Sequence, residues 1–273
     1  MNIQNHLLRD NNIAVENSPN QGGELLPDTI VIHYTAGPSA TSAIREMMNR
    51  ERKVSAHLVV DLDGSITQLV PFNRIAWHAG KSRHKDRVNL NRFSIGIEIV
   101  NAGRLDKTGS TYTSWFGRKY PEEEVFIGIH RNEDFLTAWH RYTEEQITVT
   151  GDLCELLVSH YNISFILGHE EISPGRKIDP GPAFPLDKLR DRILNLDPRD
   201  EDAGEDEVVE EPGEGMVTAS KLNIRSNPTI SQNLVAKPLP RGTKVTILKR
   251  KNGWYKVSTT IEGWVSSKFI KGR

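Results

Sequence analysis

His33 closes the apolar run TIVIH, and His169 follows a second such run, SFILG. Runs of this kind read as buried strands, and strands commonly deliver functional side chains to the rim of a sheet. Ten residues past His169, beyond the turn-forming SPGRK, Asp179 stands in IDPG, where its carboxylate could fold back towards the imidazole. The chain has nine histidines, and spacing and company single out these two. Two imidazoles and one carboxylate suit Zn2+, which takes four ligands and in catalytic sites leaves one position for water. Zinc lowers the pKa of such a water towards about 7 and polarises a carbonyl, so hydrolysis at neutral pH needs no cysteine nucleophile. One Zn2+ per chain is the expectation.

A hydrolytic site of this kind also needs a base and an anion stabiliser. Glu98 interrupts the otherwise apolar SIGIEIV, and a carboxylate there is costly unless it is paired or used. Lys177 precedes Asp179 by two residues, and in extended chain residues i and i+2 share a side, so its ammonium could reach the same cavity and steady an oxyanion. On these residues alone, a simple pairing of Glu98 with Lys177 or with solvent is the plainer reading.

The elements that must position these groups alternate between strand and helix. TIVIHYTA and FSIGIEIV read as central strands, and SAHLVV, DLDG and SITQLV as a hairpin. From Thr143 a helix begins, with Thr143 and Gln146 as a capping-box pair and Ile147, Cys154, Leu157 and Tyr161 along one stripe. Leu186, Leu189, Ile193 and Leu196 mark a shorter amphipathic helix. Strands mixed with helices predict an α/β domain with a central mixed sheet flanked by helices. Residues 104–142 show no clean period and read as a long loop that could wall a groove, with packing of Trp115, Phe116 and Trp139 onto the core an equal alternative.

A length of 273 residues accommodates one moderate domain and a small one. The lone cysteine, Cys154, has no partner for an internal disulfide and reads as an ordinary buried residue. The first residues lack a basic region followed by an apolar core, and no stretch approaches the roughly 18 apolar residues of a membrane span. The expectation is a chain made in the cytoplasm without a signal peptide. A net charge of −1 conceals segregation: residues 197–215 hold ten acids and one base, whereas residues 216–273 hold twelve bases and one acid, Glu262. The acidic stretch reads as a flexible tether between a domain at 1–196 and a basic module at 216–273. A module so lopsided in charge suits polyanionic surroundings.

The motifs IVIHYTA, SAHLVVDLDGSITQLVP, AWHAG, NRFSIGIEI and GHEEISPGRKIDPGPAF follow one another over most of residues 28–185. In this order they resemble the peptidoglycan amidases that act on N-acetylmuramoyl-L-alanine, a family that includes phage endolysins and animal peptidoglycan recognition proteins. The resemblance implies Zn2+ held by His33, His169 and Asp179, with Glu98 as general base and Lys177 steadying the oxyanion. It implies that His57 and His78 are not ligands: His78 is read with Trp77 as groove wall, His57 as structural, and Tyr34 and Asn91 as shaping the site. The ending GRKIDPGPAF is similar to members with Asp as third ligand, including cytoplasmic enzymes that recycle anhydromuropeptides.

Residues 217–271 read as short strands between turns at Gly242, Gly253 and Gly263, and LNIRSNP, GWYKV and GWVSSKFI resemble a bacterial SH3 domain, a small all-β barrel. The ligands this implies are wall peptide or an associated anionic polymer. Arg225, Trp254, Tyr255 and Trp264 are its candidate contact residues, although the aromatic ones equally suit a barrel core. No interleaved aromatic and basic motif points to nucleic acid. Three readings compete: an amidase that reaches the wall after lysis, holin-type release or specialised secretion; a peptidoglycan-binding receptor; and a cytoplasmic recycling amidase. The complete donor set argues against the receptor, and the wall-binding module favours intact peptidoglycan. A zincin-type metalloprotease is excluded, because HEEIS lacks a second histidine four residues after His169.

Overall fold

The computed structural model describes residues 1–10, 13–194, 213–218, 221–222, 224, 237–251 and 254–260. The chain divides into two compact units, Met1–Asn195 and Leu196–Arg273. In the first unit the strands that build the site are β1 (Ile13–Val15), β2 (Thr29–Tyr34), β3 (Leu58–Val60), β4 (Ile66–Gln68) and β5 (Ser94–Ile99). Strands β6 (Arg104–Thr108), β7 (Thr111–Thr113), β8 (Lys119–Tyr120), β9 (Val125–Ile129) and β10 (Leu136–His140) follow, and β11 (Phe165–Gly168) comes last. The helices are α1 (Ala40–Met48), α2 (Glu144–His160), the one-turn α3 (His169–Ile172) and α4 (Leu186–Leu194).

The central sheet has the order β11-β2-β5-β3-β4-β1. Its strands run parallel except where β3 and β4 form the hairpin anticipated around DLDG, so the sheet is mixed. In β5 the alternation of side chains decides everything that follows. Ile95, Ile97 and Ile99 point to one face and are wholly buried with Ile30 and Ile32 of β2 beneath α2 and α4. Each such burial contributes about 1.5–3 kcal/mol. Ser94, Gly96 and Glu98 therefore point to the other face, in register with Thr29, Val31 and His33 of β2. One face of the strand pair holds the core and the other holds the chemistry.

Helix α2 starts as its sequence dictates. Thr143 accepts from the Gln146 backbone N–H while the Gln146 side chain accepts from that of Thr143, and Leu153, Cys154 and Leu157 are fully buried. Helix α4 buries Leu186, Leu189 and Ile193; Leu196 lies outside the described residues. Helix α1, capped by Ser39, packs Ala40, Ala43 and Met47 against Val59, Leu69 and Val100.

Residues 104–142 do not form the long loop that their sequence suggests. They fold into a second, five-stranded antiparallel sheet with the order β8-β7-β6-β10-β9. Its strands are two to five residues long, and its small core consists of Leu105, Tyr112, Tyr120, Val125 and Ala138 together with Ala102. With a single buried side chain in every strand but β10, whose three are consecutive, no period builds up along the sequence. The aromatic alternatives divide: Trp139 is wholly buried, whereas Trp115 is 73% exposed.

In the second unit, β12 (Gly213–Met216) pairs with β15 (Lys244–Lys251), which pairs with β16 (Trp254–Ser258), and β13 (Lys221–Leu222) pairs with β14 (Leu239–Pro240), all antiparallel. Strand β12 begins inside the stretch expected to be tether, because the Gly-Glu-Gly-Met backbone finds ladder partners on β15; residues 197–212 lie outside the described residues. Arg225 and Trp264 also lie outside them, as does the side chain of Trp254, while Tyr255 is exposed.

Candidate active site

His33 is delivered by the end of β2, and His169 by the first turn of α3 directly after β11, the strand next to β2. Asp179 returns to them at the end of the 173–179 turn, held by the Glu170 N–H donating to its carbonyl at 2.8 Å. The three donor atoms converge: His33 Nδ1 and His169 Nδ1 are 2.9 Å apart and lie 3.0 and 2.9 Å from Asp179 Oδ2. All three residues are buried.

The surroundings favour a proton on each Nε2, although Arg176 also approaches His169 Nε2, at 3.3 Å. His169 Nε2–H donates to the Ala79 carbonyl at 3.2 Å. His33 Nε2–H donates to His78 Nδ1 at 2.9 Å, and His78 Nε2–H reaches the Ser94 carbonyl at 3.3 Å. Both Nδ1 lone pairs are thereby turned towards the Asp179 carboxylate. Three such donors crowded together repel unless a cation lies among them, and adjacent ligands of a tetrahedral ion with bonds of about 2.0–2.1 Å are themselves roughly 3.3 Å apart. The residues fit a zinc-sized ion with a small opening of the triangle.

Protonation suits the same role. Burial pulls His33 down to about 4, aided by the nearby His169 and opposed by Asp179. Burial alone would raise Asp179, but its close contacts with His169 and His33 outweigh it and hold the carboxyl far below its usual range. A neutral imidazole and an ionised carboxylate are the states that bind metal.

Glu98 lies beside His33 in register, and its Oε2 is buried with no hydrogen-bond partner. Burial pushes its carboxyl well above the usual range, Asp179 adds to the shift and Lys177 opposes it. No hydrogen bond or ion pair joins Glu98 to Lys177 among the described residues, so the simple pairing does not form. Tyr34, Glu98, His78, Lys177 and two of the three donors, His169 and Asp179, line one cleft of about 370 Å3. Tyr34 fits there because Gly103 opposite has no side chain: a Cβ would lie 2.5 Å from the phenol ring. A larger groove of about 630 Å3 in the second unit, lined by Glu214, Lys244 and several threonines, holds no comparable donor cluster.

His78 is a cleft residue, but its main contact is with His33, which it orients. Gly96 makes room for the His78 ring, since a Cβ there would lie 2.4 Å from its Cγ. Asn91 works from behind, its Oδ1 accepting from the N–H groups of His78 and Ala79 at 3.1 and 2.7 Å. Trp77 is not among the cleft-lining residues; its N–H donates to Ser55 Oγ at 2.9 Å. His57 is buried structure, accepting from the Gly96 N–H and donating to the Arg74 carbonyl.

Sequence reasoning missed a clamp behind the metal ligands. Glu170, buried and adjacent to His169, takes His130 Nε2 at 2.7 Å, Arg131 Nε at 2.8 Å and the Gly181 N–H at 3.0 Å. His130 and Arg131 follow directly on β9, so the second sheet grips Glu170 at the start of the ligand-bearing turn, and Glu170 in turn holds Gly181 just past its end. Arg176, also missed, donates to the Ala79 and Lys81 carbonyls and to Ser173 Oγ. The acidic doublet after His169 was the one visible signal of the clamp; its partners come from the aperiodic stretch.

Fold and donor set together define a mixed-sheet α/β protein with two histidines and one carboxylate that could hold a metal ion. Residues 23–182 match the N-acetylmuramoyl-L-alanine amidase family, and the chain belongs to it; residues 220–271 match the bacterial SH3 domain family. The 1,6-anhydro-N-acetylmuramyl-L-alanine amidase AmpD of Escherichia coli (strain K12) is 34% identical over 142 residues, which are 52% of this chain and 58% of AmpD. The N-acetylmuramoyl-L-alanine amidase AmiD of the same organism is 31% identical over 167 residues, 59% of this chain and 51% of AmiD. The chain thus spans about half the length of the curated relatives it matches. The crystal structure of a selenomethionine AmpD derivative aligns at 26% identity with a TM-score of 0.49, covering 71% of this chain and 99% of that one.

Proposed function

We propose that the chain is a zinc-dependent amidase that hydrolyses the bond between N-acetylmuramic acid and L-alanine in peptidoglycan. The observation that carries this reading is Glu98, whose carboxylate Oε2 is buried without a hydrogen-bond partner in the cleft that two of the three converging metal donors line. His33, His169 and Asp179 would hold the ion. When bound, Zn2+ supplies a Lewis acid that acidifies water and polarises a carbonyl. Glu98, its carboxyl pushed well above the usual range by burial, takes the proton of the attacking water and returns it to the departing amide nitrogen. Lys177 stabilises the negative oxygen of the tetrahedral intermediate. His78 keeps His33 in its ligating tautomer, and Tyr34 closes one side of the cleft.

The basic module at 216–273 supports a site of action at the cell wall, reached after lysis or specialised release, with contact to wall peptide or anionic polymer through residues such as Tyr255. The resemblance to AmpD favours a second reading, in which soluble anhydromuropeptides are the substrate. Among the described residues no helix is long and apolar enough to cross a membrane. The test is mass spectrometry of products released from purified sacculi and from anhydromuropeptides by metal-loaded wild type, Glu98→Gln and chelator-treated protein. Stem peptides beginning at L-alanine, released by metal-loaded wild type alone, are expected. Sacculus binding without release from either substrate refutes the amidase.

A further inference from the structure

The second sheet reaches the cleft at one point. Trp115, in the turn between β7 and β8, donates its indole N–H to the Ala36 carbonyl at 2.7 Å. Ala36 lines the catalytic cleft beside Tyr34 and Thr35, and its left-handed backbone, φ 50°, is uncommon for a residue with a side chain. The indole is also fixed by Phe116, whose ring stands edge-on at 5.6 Å and 88°, and Phe116 is anchored in turn on the core of the second sheet. Despite these two restraints, Trp115 is 73% exposed. A large aromatic ring that is held in place yet left open to solvent at the mouth of a cleft is a preorganised platform, because its ordering cost is already met before a ligand arrives.

We propose that Trp115 is a glycan-binding residue, on whose open face a neutral N-acetylhexosamine ring of the substrate stacks as the scissile amide enters the cleft. The inference rests on the amidase reading for its substrate. An uncharged indole face complements the C–H face of a pyranose. Positive charge lies elsewhere along the cleft, on Arg176 and Lys177. The second sheet thereby extends the site towards the sugar, and preference between short and long glycans becomes a property of that sheet.

The experiment compares wild type, Trp115→Ala and Trp115→Phe, each loaded with zinc. Calorimetric titration with the peptide-free disaccharide N-acetylglucosaminyl-N-acetylmuramic acid reads binding without hydrolysis. Steady-state cleavage of N-acetylmuramyl-tripeptide and of its N-acetylglucosaminyl-extended counterpart reads its consequence. Trp115→Ala is expected to weaken disaccharide binding about fivefold and to raise KM for the extended substrate with kcat retained, while Trp115→Phe keeps most of both. Unchanged disaccharide affinity in Trp115→Ala, or an equal KM rise on a free stem-peptide amide without sugar, overturns the proposal. If wild type cleaves neither substrate, the amidase reading fails, and the titration still decides whether Trp115 holds the sugar.

Discussion

Gly96→Ala should damage the metal site without touching a ligand. The new methyl would lie 2.4, 2.6 and 2.7 Å from Cγ, Nδ1 and Cδ2 of His78, whereas ordinary contact begins near 3.4 Å. Relief requires the His78 ring to withdraw by about 1 Å, since the alternative is to shift β5 in the middle of the sheet. Overpacking of this kind costs about 1–3 kcal/mol of stability. Withdrawal also carries His78 Nδ1 out of reach of His33 Nε2, now 2.9 Å away, and releases His33 from its ligating tautomer. Loss of such an outer partner weakens metal affinity by roughly 10–100-fold. Competition with a zinc chelator measures that factor, and a thermal melt of metal-free protein measures the packing cost. Gly23→Ala is the control, because a Cβ there meets nothing within 4 Å. Zinc affinity within twofold of wild type in Gly96→Ala would falsify the role given to His78.

Glu98→Gln should bind zinc as wild type does and lose at least about 100-fold in kcat, because a positioned base contributes roughly 10²–10⁴-fold; zinc titration beside a cleavage assay separates the two effects. Metal-free protein should lose stability as pH falls from 6.5 to 4. Burial holds folded His57 at about 4, so in that window the unfolded chain takes up a proton that the folded chain refuses, and above pH 6.5 the effect vanishes. Over the window His57 alone accounts for about 3 kcal/mol, and His57→Gln should flatten denaturant-derived stability by that amount. His130→Ala leaves the buried Glu170 short of one of its three partners and should cost about 2 kcal/mol, read as a lowered urea midpoint.

The donors were legible in the sequence because His33 and His169 each end an apolar run and Asp179 follows a turn signal; parallel pairing of β2 with β11 then brings the two runs together. Glu98 betrayed itself as a charge within a strand whose other face is all isoleucine. The capping box of α2 was equally plain. The second sheet was invisible, because Leu105, Tyr112 and Tyr120 each anchor a strand too short to show alternation. The orienting role of His78 was hidden for a different reason: it depends on the absence of a methyl at a glycine eighteen residues away. Nor does any pattern announce that a tryptophan will be fixed yet exposed; Trp115 and Trp139 lie in the same stretch and have opposite fates.

The grip of His130 and Arg131 on Glu170 works in both directions. If the second sheet helps hold His169 and Asp179 in place for an ion, then by linkage the ion must hold the second sheet with the same free energy. Such an ion would in that sense be a fastener for residues 104–142, none of which ligates it. Shortening residues 104–142 to obtain a minimal enzyme would be felt first as leakage of zinc, and amides of β9 and β10 should exchange with solvent more slowly once zinc is added.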